Sequence, residues 1–279
     1  MMRQGTLIFA VAVVVVIVVV GGCSFSKDDG VHVPDAGPGN NHNNDDDPTA
    51  VGPCRVAPGL EADLRLCLDF EDAAPMAVAR DASGFKHDAI ATAIDLAQRT
   101  GEQAARFTPP QSMLAISENA GLALQAVTIE MFVAVDRIAP GRRYWLLDNG
   151  GQYFASYGDD NEIRCGVNLT KTVDSGTRQM PVKITDAGWH HVACTYDRNE
   201  LRVYVDGSVA DCQDERGPLI APAGATTIGA RTGGQASEHL AGALDNVHVF
   251  ARALTPAEIC AASGRTSCRQ TCPPKDMRD

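Results

Sequence analysis

The feature that most constrains the fold of this chain is the stretch 188–207, GWHHVACTYDRNELRVYVDG. Apolar residues occupy every second position in two runs that are separated by a polar turn and closed by Asp-Gly. This period of two places alternate side chains on opposite faces of a strand, so the stretch predicts an antiparallel hairpin with one face toward a core. The inward residues are Val192, Cys194 and Tyr196, followed by Leu201, Val203 and Val205.

Further short runs of strand-forming residues recur between residues 64 and 250. Gly, Asn and Asp clusters separate them, as at 149–151 and 158–161. Many short strands with turn signals at this spacing favour an all-β sandwich over alternating α/β units. The runs are LRLCLDFE (64–71), VTIEMFVAVD (127–136), YWLLD (144–148), GQYFASY (151–157), EIRCGVNL (162–169), ATTIGA (225–230) and ALDNVHVF (243–250).

One short helix is predicted near the C-terminus, over 255–263. Thr255 suits the N-cap position, Pro256 the first helical position, and Glu258 completes a capping box. We therefore expect a folded domain over 54–263, followed by a mostly irregular tail with two cysteines over 264–279.

The N-terminus predicts export and a lipid anchor. Arg3 precedes an apolar run of 14 residues, Leu7 to Val20, shorter than the roughly 20 residues that span a bilayer. Residues 1–22 are thus expected to be a signal peptide. The sequence Val20-Gly21-Gly22-Cys23 resembles a bacterial lipobox, which implies lipidation of Cys23, and Ser24 after it implies the outer membrane, with the protein facing the periplasm or the cell surface. The alternatives are an unlipidated signal peptide and a short uncleaved anchor.

Residues 24–53 predict a disordered acidic linker. They are rich in Asp, Asn, Gly and Pro, and such a segment buries too little apolar surface to offset its chain entropy. The chain carries a net charge of −11, which repels phosphate backbones and makes nucleic acid an unsuitable partner.

The landmarks of the chain, taken together, resemble the laminin G-like and pentraxin-like branch of the concanavalin A-like lectin/glucanase superfamily. The resemblance covers roughly residues 64–262. It implies an all-β, two-sheet antiparallel jelly-roll sandwich whose first and last strands pair, in a class that binds sugars, glycans or proteins and often holds calcium. The landmarks, in order, are LCLDFED, DASGFKHDA (81–89), AARF (104–107), VTIEMFVAVD, the 188–207 hairpin, IGAR (228–231) and GALDNVHVFARALTPAEI (242–259).

Cysteine usage fits an oxidising compartment. Of the nine cysteines, eight remain for disulfides if Cys23 carries lipid. Cys165 and Cys194 both point inward from strands that are neighbours in the resembling fold, so we predict a disulfide between them. Zinc is a competing use of cysteine, but the chain contains no CxxC spacing.

Two ligand sites are predicted. The resemblance places Asp69, Asp81 and Asp245 where related domains gather acidic residues around calcium, whose preferred ligands are oxygens; an ordinary Asx turn at Asp81 and a strand cap at Asp245 are the alternatives. Aromatic residues around the loops at 141–161 predict a sugar platform, with Arg142, Arg143 and Asn149 as hydrogen-bonding groups, or else core filling. The aromatic residues are Tyr144, Trp145, Tyr153 and Tyr157.

Catalytic motifs are missing from the sequence. It has no E-x-D-x-E strand of the glucanase type, no G-x-S-x-G elbow and no H-E-x-x-H helix. We therefore expect a non-catalytic cell-envelope lipoprotein that binds a glycan or a protein, with calcium as a supporting ion. The alternatives are a structural or adhesive envelope module without a small-ligand site, and a glycan-processing enzyme of the same fold.

Overall fold

The computed structural model describes residues 54–71, 77–117, 120–136, 138, 140–170, 176–184, 188–231, 233–235 and 238–274. The predicted signal peptide, the lipidation site Cys23 and the linker over 24–53 lie outside these residues. Among the described residues, no helix is long and apolar enough to cross a lipid bilayer.

The described part of the chain is built from strands, with one α-helix, α1 (Pro256–Ala262), and two short 3-10 turns at Glu61–Asp63 and Ala120–Leu122. The strands, in chain order, are β1 (Leu64–Leu68), β2 (Val78–Ala79), β3 (Ala89–Thr92), β4 (Ile94–Arg99), β5 (Glu102–Phe107), β6 (Met113–Ile116), β7 (Val127–Val135), β8 (Arg143–Asn149), β9 (Tyr153–Gly158), β10 (Glu162–Leu169), β11 (Gly176–Lys183), β12 (His190–Tyr196), β13 (Glu200–Val205), β14 (Ser208–Asp214), β15 (Thr226–Ile228) and β16 (Gly242–Phe250).

These strands form two antiparallel sheets, which confirms the predicted all-β jelly-roll sandwich. Sheet 1 has the order β14-β13-β12-β7-β16-β5-β4, and β1 also pairs with β16. Sheet 2 has the order β11-β10-β9-β8-β15-β6-β3-β2. The pairing of β1 with β16 joins the first strand to the last, as the family resemblance implied.

The main core fills the space between the two sheets, and the hairpin alternation predicted from 188–207 contributes its inward face to it. The period of two in LRLCLDFE (64–71) predicts that Leu64, Leu66 and Leu68 all face the main core, and this prediction is wrong at Leu64. A register shift between Leu64 and Leu66 turns Leu64 toward the other side of sheet 1, because a bulge inserts one residue and reverses the facing of everything before it. Leu66 and Leu68 point into the main core, as expected.

A second apolar cluster covers the outer face of sheet 1. Ala193, Tyr204 and Phe250 of the sheet pack there against Leu254 and Ile259 from the α1 region. The helix begins at the capping box that the sequence predicts, since the Thr255 side chain accepts from the Glu258 backbone and the Glu258 side chain accepts from the Thr255 backbone. As a result, sheet 1 is largely covered on both sides.

Four disulfides fix the described domain, and they include the pair predicted from the sequence. Cys165 on β10 and Cys194 on β12 join sheet 2 to sheet 1 through the core. Of the other three, Cys54–Cys67 and Cys212–Cys272 tie the flanking segments to sheet 1, and Cys260–Cys268 ties α1 to the C-terminal tail.

Candidate functional site

The face of sheet 2 that points away from the core carries a row of functional side chains. Trp145 pairs with Ser156, and Ser156 pairs with Arg164, so the three side chains lie on one face across β8, β9 and β10. Neither Trp145 nor its neighbour Phe154 belongs to the core between the sheets. We call Arg143, Trp145, Phe154, Arg164 and Arg231 the arginine–tryptophan face.

Trp145 is the centre of this face. The Arg231 guanidinium lies 5.0 Å from the centroid of the indole ring and the Arg143 guanidinium 5.9 Å, distances at which a cation is attracted to the ring. The Phe154 ring meets the indole edge-on at 5.1 Å. Trp145 is only 5% exposed, so it positions the two guanidinium groups rather than offering an open stacking surface.

A glycine on β10 makes room for Phe154. A Cβ at Gly166 would lie 2.0 Å from the Phe154 ring, far inside contact distance, so a larger residue would push the ring off the sheet. Because Phe154 in turn supports the edge of Trp145, the backbone at Gly166 sets the position of the indole.

The charges around Arg143 are mixed. Burial and the positive charge of Arg164 lower the pKa of Arg143, Asp160 and Glu238 raise it, and Arg231 lowers it. Arg164 is held by Asp160 at 2.6 Å and Glu162 at 3.0 Å. Within the described ranges, neither Arg143 nor Arg231 has a carboxylate within 4 Å. Arg143 and Arg231 thus lie beside one indole without a direct ion pair in that part of the chain, while Asp160 and Glu238 act on Arg143 and Asp148 interacts with Arg231 from longer range.

Polar groups suited to hydroxyls accompany the arginines. Trp145 Nε1 and Ser156 Oγ are buried and have no hydrogen-bond partner among the described residues. Asp148, which pairs with Phe154 and shares its face, accepts a hydrogen bond from the Gly151 backbone at 3.0 Å. Burial raises the pKa of Asp148. The face thus combines donors, an acceptor and two cations.

The aromatic platform predicted from the sequence does not form. Tyr144, Tyr153 and Tyr157 project from β8 and β9 into the core between the sheets, and none is more than 8% exposed. The Tyr153 hydroxyl donates to the Leu122 carbonyl at 2.9 Å, and burial raises its pKa. The assignment of these three tyrosines to ligand binding is corrected, because strand alternation turns them inward while it turns Trp145 outward.

The predicted calcium ligand Asp81 is fully occupied by protein donors. Its Oδ1 accepts from the backbone amides of Cys67 and Ser83, each at 2.9 Å. Its Oδ2 accepts from the Ser83 hydroxyl at 2.7 Å and the His87 amide at 2.9 Å. These bonds form an Asx-type turn that ties the 81–88 segment to β1, which is the alternative that the sequence allowed.

The other two predicted calcium ligands lie in different surroundings. Asp245 is bound by Arg99 at 2.5 Å, and Asp69 Oδ1 lies 3.6 Å from His248 Nε2. Among the described residues, no group of three closely spaced ligands contains two of these aspartates. Asp69, Asp81 and Asp245 therefore do not gather into one group of side-chain ligands, and calcium binding by the domain stays a prediction.

A buried polar cluster on the outer face of sheet 1 was missed at the level of sequence. Glu130 on β7 is 3% exposed, and its Oε1 accepts from His248 Nδ1 at 3.0 Å. His191 Nε2 lies 3.6 Å from Glu130 Oε2. Burial by itself raises the pKa of Glu130, but the two imidazoles outweigh it and lower the pKa to about 2. Burial lowers the pKa of His248, whereas Asp69 and Glu130 raise it to about 9.

A small pocket opens beside this cluster, on the side covered by the N-terminal end of the domain. Its volume is about 250 Å³ when the opening to solvent is included. Its interior suits a water molecule or an ion rather than a sugar. Its lining residues are Arg55, Val56, Ala57, Glu130, Phe132, His191, Asn246, His248 and Ala262.

Strand pairing explains why Glu130, His248 and Arg231 could not be grouped from the sequence. Glu130 and His248 are direct partners across β7 and β16, and Arg231 follows β15, which pairs with β8. In each case, residues more than 70 positions apart in the sequence meet because of the strand order. The available signal was the period of two, which places Glu130 and His191 opposite to the inward residues of their strands.

The fold and the face define a class of protein, a two-sheet jelly-roll sandwich with a polar site on one outer face. The sequence pattern of the concanavalin A-like lectin/glucanases superfamily, in its laminin G form, matches residues 110–260, more than half of the chain. The chain belongs to this family. A search of curated proteins finds no significant match.

Solved structures with the same architecture include toxin binding domains. The binding domain of Paraclostridial Mosquitocidal Protein 1 is similar with a TM-score of 0.59 and 15% identity, over 73% of this chain and 52% of that one. The binding domain of botulinum neurotoxin DC in complex with rat synaptotagmin II gives 0.57 and 11%, over 74% and 52%.

A third solved structure concerns cell entry of botulinum neurotoxin type C, described as dependent upon interaction with two ganglioside molecules. It gives a TM-score of 0.54 and 10% identity, over 74% of this chain and 51% of that one. This chain therefore spans about half the length of each of these proteins, and identities this low show the fold alone.

Proposed function

We propose that this domain is a non-catalytic binding module for an anionic glycan, held on the arginine–tryptophan face. The observation that carries the proposal is a pair of guanidinium groups, Arg143 and Arg231, placed over one indole ring without a carboxylate partner among the described residues. A guanidinium binds a carboxylate or a sulfate through two parallel hydrogen bonds.

The remaining groups on the face suit the rest of a sugar. Trp145 Nε1 can only donate, Ser156 Oγ can donate or accept, and the Asp148 carboxylate accepts. Sugar hydroxyls can do both, but Ser156 is 0% and Asp148 2% exposed, so a sugar pairs with these groups only when the side chains over them move. Filling buried donors in this way is favourable, because an unpaired buried polar group costs about 1–3 kcal/mol.

The charge of the whole chain adds selectivity to this proposal. With a net charge of −11, the protein repels anions in general, and only a ligand that reaches the arginines gains their attraction. We therefore expect binding that weakens with salt, because partly exposed charges are screened within about 10 Å at 0.1 M ionic strength.

Support for glycan binding as a class comes from the family and from its structural neighbours. The neighbours include a toxin whose entry depends on gangliosides and the binding domain of botulinum neurotoxin DC in complex with SialylT. Gangliosides carry acidic sugars, the chemistry that two arginines recognise. A neighbour bound to synaptotagmin keeps a protein ligand as the second candidate.

The location of the protein in the cell is also part of the proposal. A lipid on Cys23 and a tether over 24–53 would hold the domain at the outer membrane, on its periplasmic or external side. Partitioning of the full chain and of a Cys23→Ala variant between detergent and water tests the lipid.

The test of glycan binding is an array of neutral, carboxylated and sulfated glycans probed with the full-length protein, with calcium and with chelator. We expect acidic glycans to bind selectively and the variant Arg143→Ala/Arg231→Ala to lose at least about tenfold in affinity, since each charge-assisted hydrogen bond contributes about 1.5–3 kcal/mol. The matched control is Arg106→Ala, which removes an arginine paired with Asp136 on sheet 1.

Three outcomes would contradict the proposal. Equal binding of neutral and acidic glycans would show that Arg143 and Arg231 do not select the ligand. An equal loss in the Arg106→Ala control would show a general effect of charge. An array without binding, both with calcium and with chelator, would favour a protein partner or a structural envelope role instead.

A further inference from the structure

Four potential metal ligands meet on the outer face of sheet 1, away from the arginine–tryptophan face. They are Cys54, Cys67, Asp69 and His248, and one ligand atom from each lies within 4.8 Å of all the others. Cys67 and His248 are direct partners across β1 and β16, so their side chains share a face. Asp69 follows Cys67 by two residues and joins the same group.

The two sulfur atoms of this group are joined in the Cys54–Cys67 disulfide. A disulfide sulfur is a poor metal ligand, because metals bind the thiolate. In the oxidised protein the group therefore offers only the imidazole and the carboxylate. Reduction would add two thiolates at the same place.

His248 is already oriented as a metal-binding histidine. Its Nδ1 faces Glu130 Oε1 at 3.0 Å, and since a carboxylate only accepts, Nδ1 donates. Its Nε2 has no hydrogen bond among the described residues and lies 3.6 Å from Asp69 Oδ1, and the side chain is only 4% exposed. In known metal sites the ligating histidine gives its second N–H to a carboxylate in this way, which fixes the ring and raises its basicity.

We infer that reduction of the Cys54–Cys67 disulfide converts this group into a zinc site. The ligands are the Sγ atoms of Cys54 and Cys67, an oxygen of Asp69 and Nε2 of His248. Two sulfurs, one nitrogen and one oxygen form a tetrahedral set that suits Zn²⁺, with ligand atoms roughly 3.3–3.8 Å apart. The ligand atoms now lie within 4.8 Å of one another, and the two sulfurs, which are bonded to each other in the disulfide, separate on reduction to the roughly 3.8 Å that a tetrahedral zinc site requires.

The backbone allows that rearrangement at one ligand and fixes the others. Cys67 and His248 lie within paired strands, and Asp69 directly follows β1. Cys54 lies in an irregular segment, is only partly buried, and belongs to no sheet. Cys54 can thus adjust to the ion while the other three hold their positions.

The chemistry balances with a dithiol as the reductant. The dithiol gives two electrons and two protons to the S–S bond and becomes a disulfide itself, leaving thiols at Cys54 and Cys67. Zinc binding then releases both thiol protons and the proton on His248 Nε2, and the resulting site contains two thiolates, one carboxylate and one neutral imidazole.

A second group supplies an internal control. Glu200, Cys212 and Cys272 also place ligand atoms within 4.8 Å of one another, and Cys212 and Cys272 are likewise joined in a disulfide. This group has three members and no imidazole. If reduced thiols alone were enough, both groups would bind zinc equally.

The test uses the purified full-length protein, oxidised or treated with a phosphine, which breaks the S–S bond with water to give two thiols and a phosphine oxide and does not compete as a thiol would. Zn²⁺ is titrated against a coloured chelator, and Co²⁺ is used as a probe, because thiolate-to-cobalt charge-transfer bands report sulfur ligation. The variants are Cys54→Ser/Cys67→Ser, His248→Asn and Asp69→Asn, with Cys212→Ser/Cys272→Ser as the matched control.

We expect one zinc ion per reduced chain at this site and none in the oxidised chain. We also expect loss of the charge-transfer bands in Cys54→Ser/Cys67→Ser, at least about tenfold weaker affinity in His248→Asn, and no change in Cys212→Ser/Cys272→Ser. Zinc binding that is equal in both redox states, or that survives in Cys54→Ser/Cys67→Ser, would overturn the inference. Loss of the strand signal in circular dichroism on reduction would overturn it as well, because the site requires β1 and β16 to stay paired.

Discussion

Glu130 is the residue whose surroundings in the structure differ most from what the sequence suggests. In the sequence it is one polar residue in the apolar strand VTIEMFVAVD, and its outward facing suggests exposure to water. In the structure it is 3% exposed and lies between His191 and His248. The pairing of β7 with both β12 and β16 brings the three together, and only the strand order reveals it.

Because Glu130 is the counter-charge of a buried imidazole, we expect Glu130→Ala to lower the free energy of unfolding by about 3–5 kcal/mol, the usual effect of leaving a buried charge unpaired. Chemical denaturation followed by circular dichroism measures this loss. The control is Asp136→Ala, which breaks an exposed pair with Arg106 and should cost less than about 1 kcal/mol. Equal losses in the two variants would contradict the role assigned to Glu130.

At the scale of elements, the central strands were predictable and the edge strands were not. β7, β12 and β13 alternate clearly, because one face of each packs into the main core. β11 lies at the edge of sheet 2 and contains Pro181, a residue that edge strands tolerate because they need not donate on their free side. Its sequence, GTRQMPVK, shows no clear period of two, so periodicity alone does not predict it.

The helix α1 was predicted because its start depends on local chemistry. Glu258 accepts from the Thr255 amide at 2.7 Å and from two Arg252 nitrogens at 2.8 Å each. The hydrogen bonds from Arg252 lower the pKa of Glu258 to about 2, from an ordinary value of 4.5. A carboxyl with a lowered pKa in the folded state contributes stability above its ordinary pKa and loses it as the pH falls toward the folded value.

We therefore expect Glu258→Gln to lower the free energy of unfolding at neutral pH by about 0.5–1 kcal/mol, a usual size for a cap. The difference from the wild type should shrink as the pH falls from about 4.5 toward about 2, where Glu258 itself becomes protonated. Urea unfolding at a series of pH values measures it. Glu61→Gln, at an exposed acid outside the capping box, is the control, and a difference that does not change with pH would refute the argument.

At the scale of the whole molecule, the arrangement of the sheets decides what the sequence can reveal of the site. Trp145 and Arg143 are neighbours on β8 and were both noticed in the sequence. Arg231 reaches the same indole only because β15 pairs with β8, a contact between residues about 85 positions apart. Short-range patterns predict the class of fold, whereas the binding face depends on a pairing of distant strands.

The Cys165–Cys194 disulfide is the covalent link that holds the two sheets together through the core. It joins β10 to β12 and closes a loop with a sequence separation of 29, and restricting the unfolded chain in this way contributes roughly 3–4 kcal/mol. We expect Cys165→Ala/Cys194→Ala to lower the free energy of unfolding by about that amount. We also expect the arginine–tryptophan face to lose ligand affinity, since β10 carries Arg164 and the glycine that supports Phe154.

The matched control is Cys260→Ser/Cys268→Ser, which opens a loop with a separation of 8 near the C-terminus. It should cost less stability, because a shorter loop restricts the unfolded chain less, and it should leave glycan affinity unchanged, because it lies beside α1 rather than sheet 2. Denaturant unfolding and glycan titration on both variants separate the two effects. If the core variant lost stability but kept its affinity, sheet 2 would hold the arginine–tryptophan face by itself, and the link between the sheets would serve stability alone.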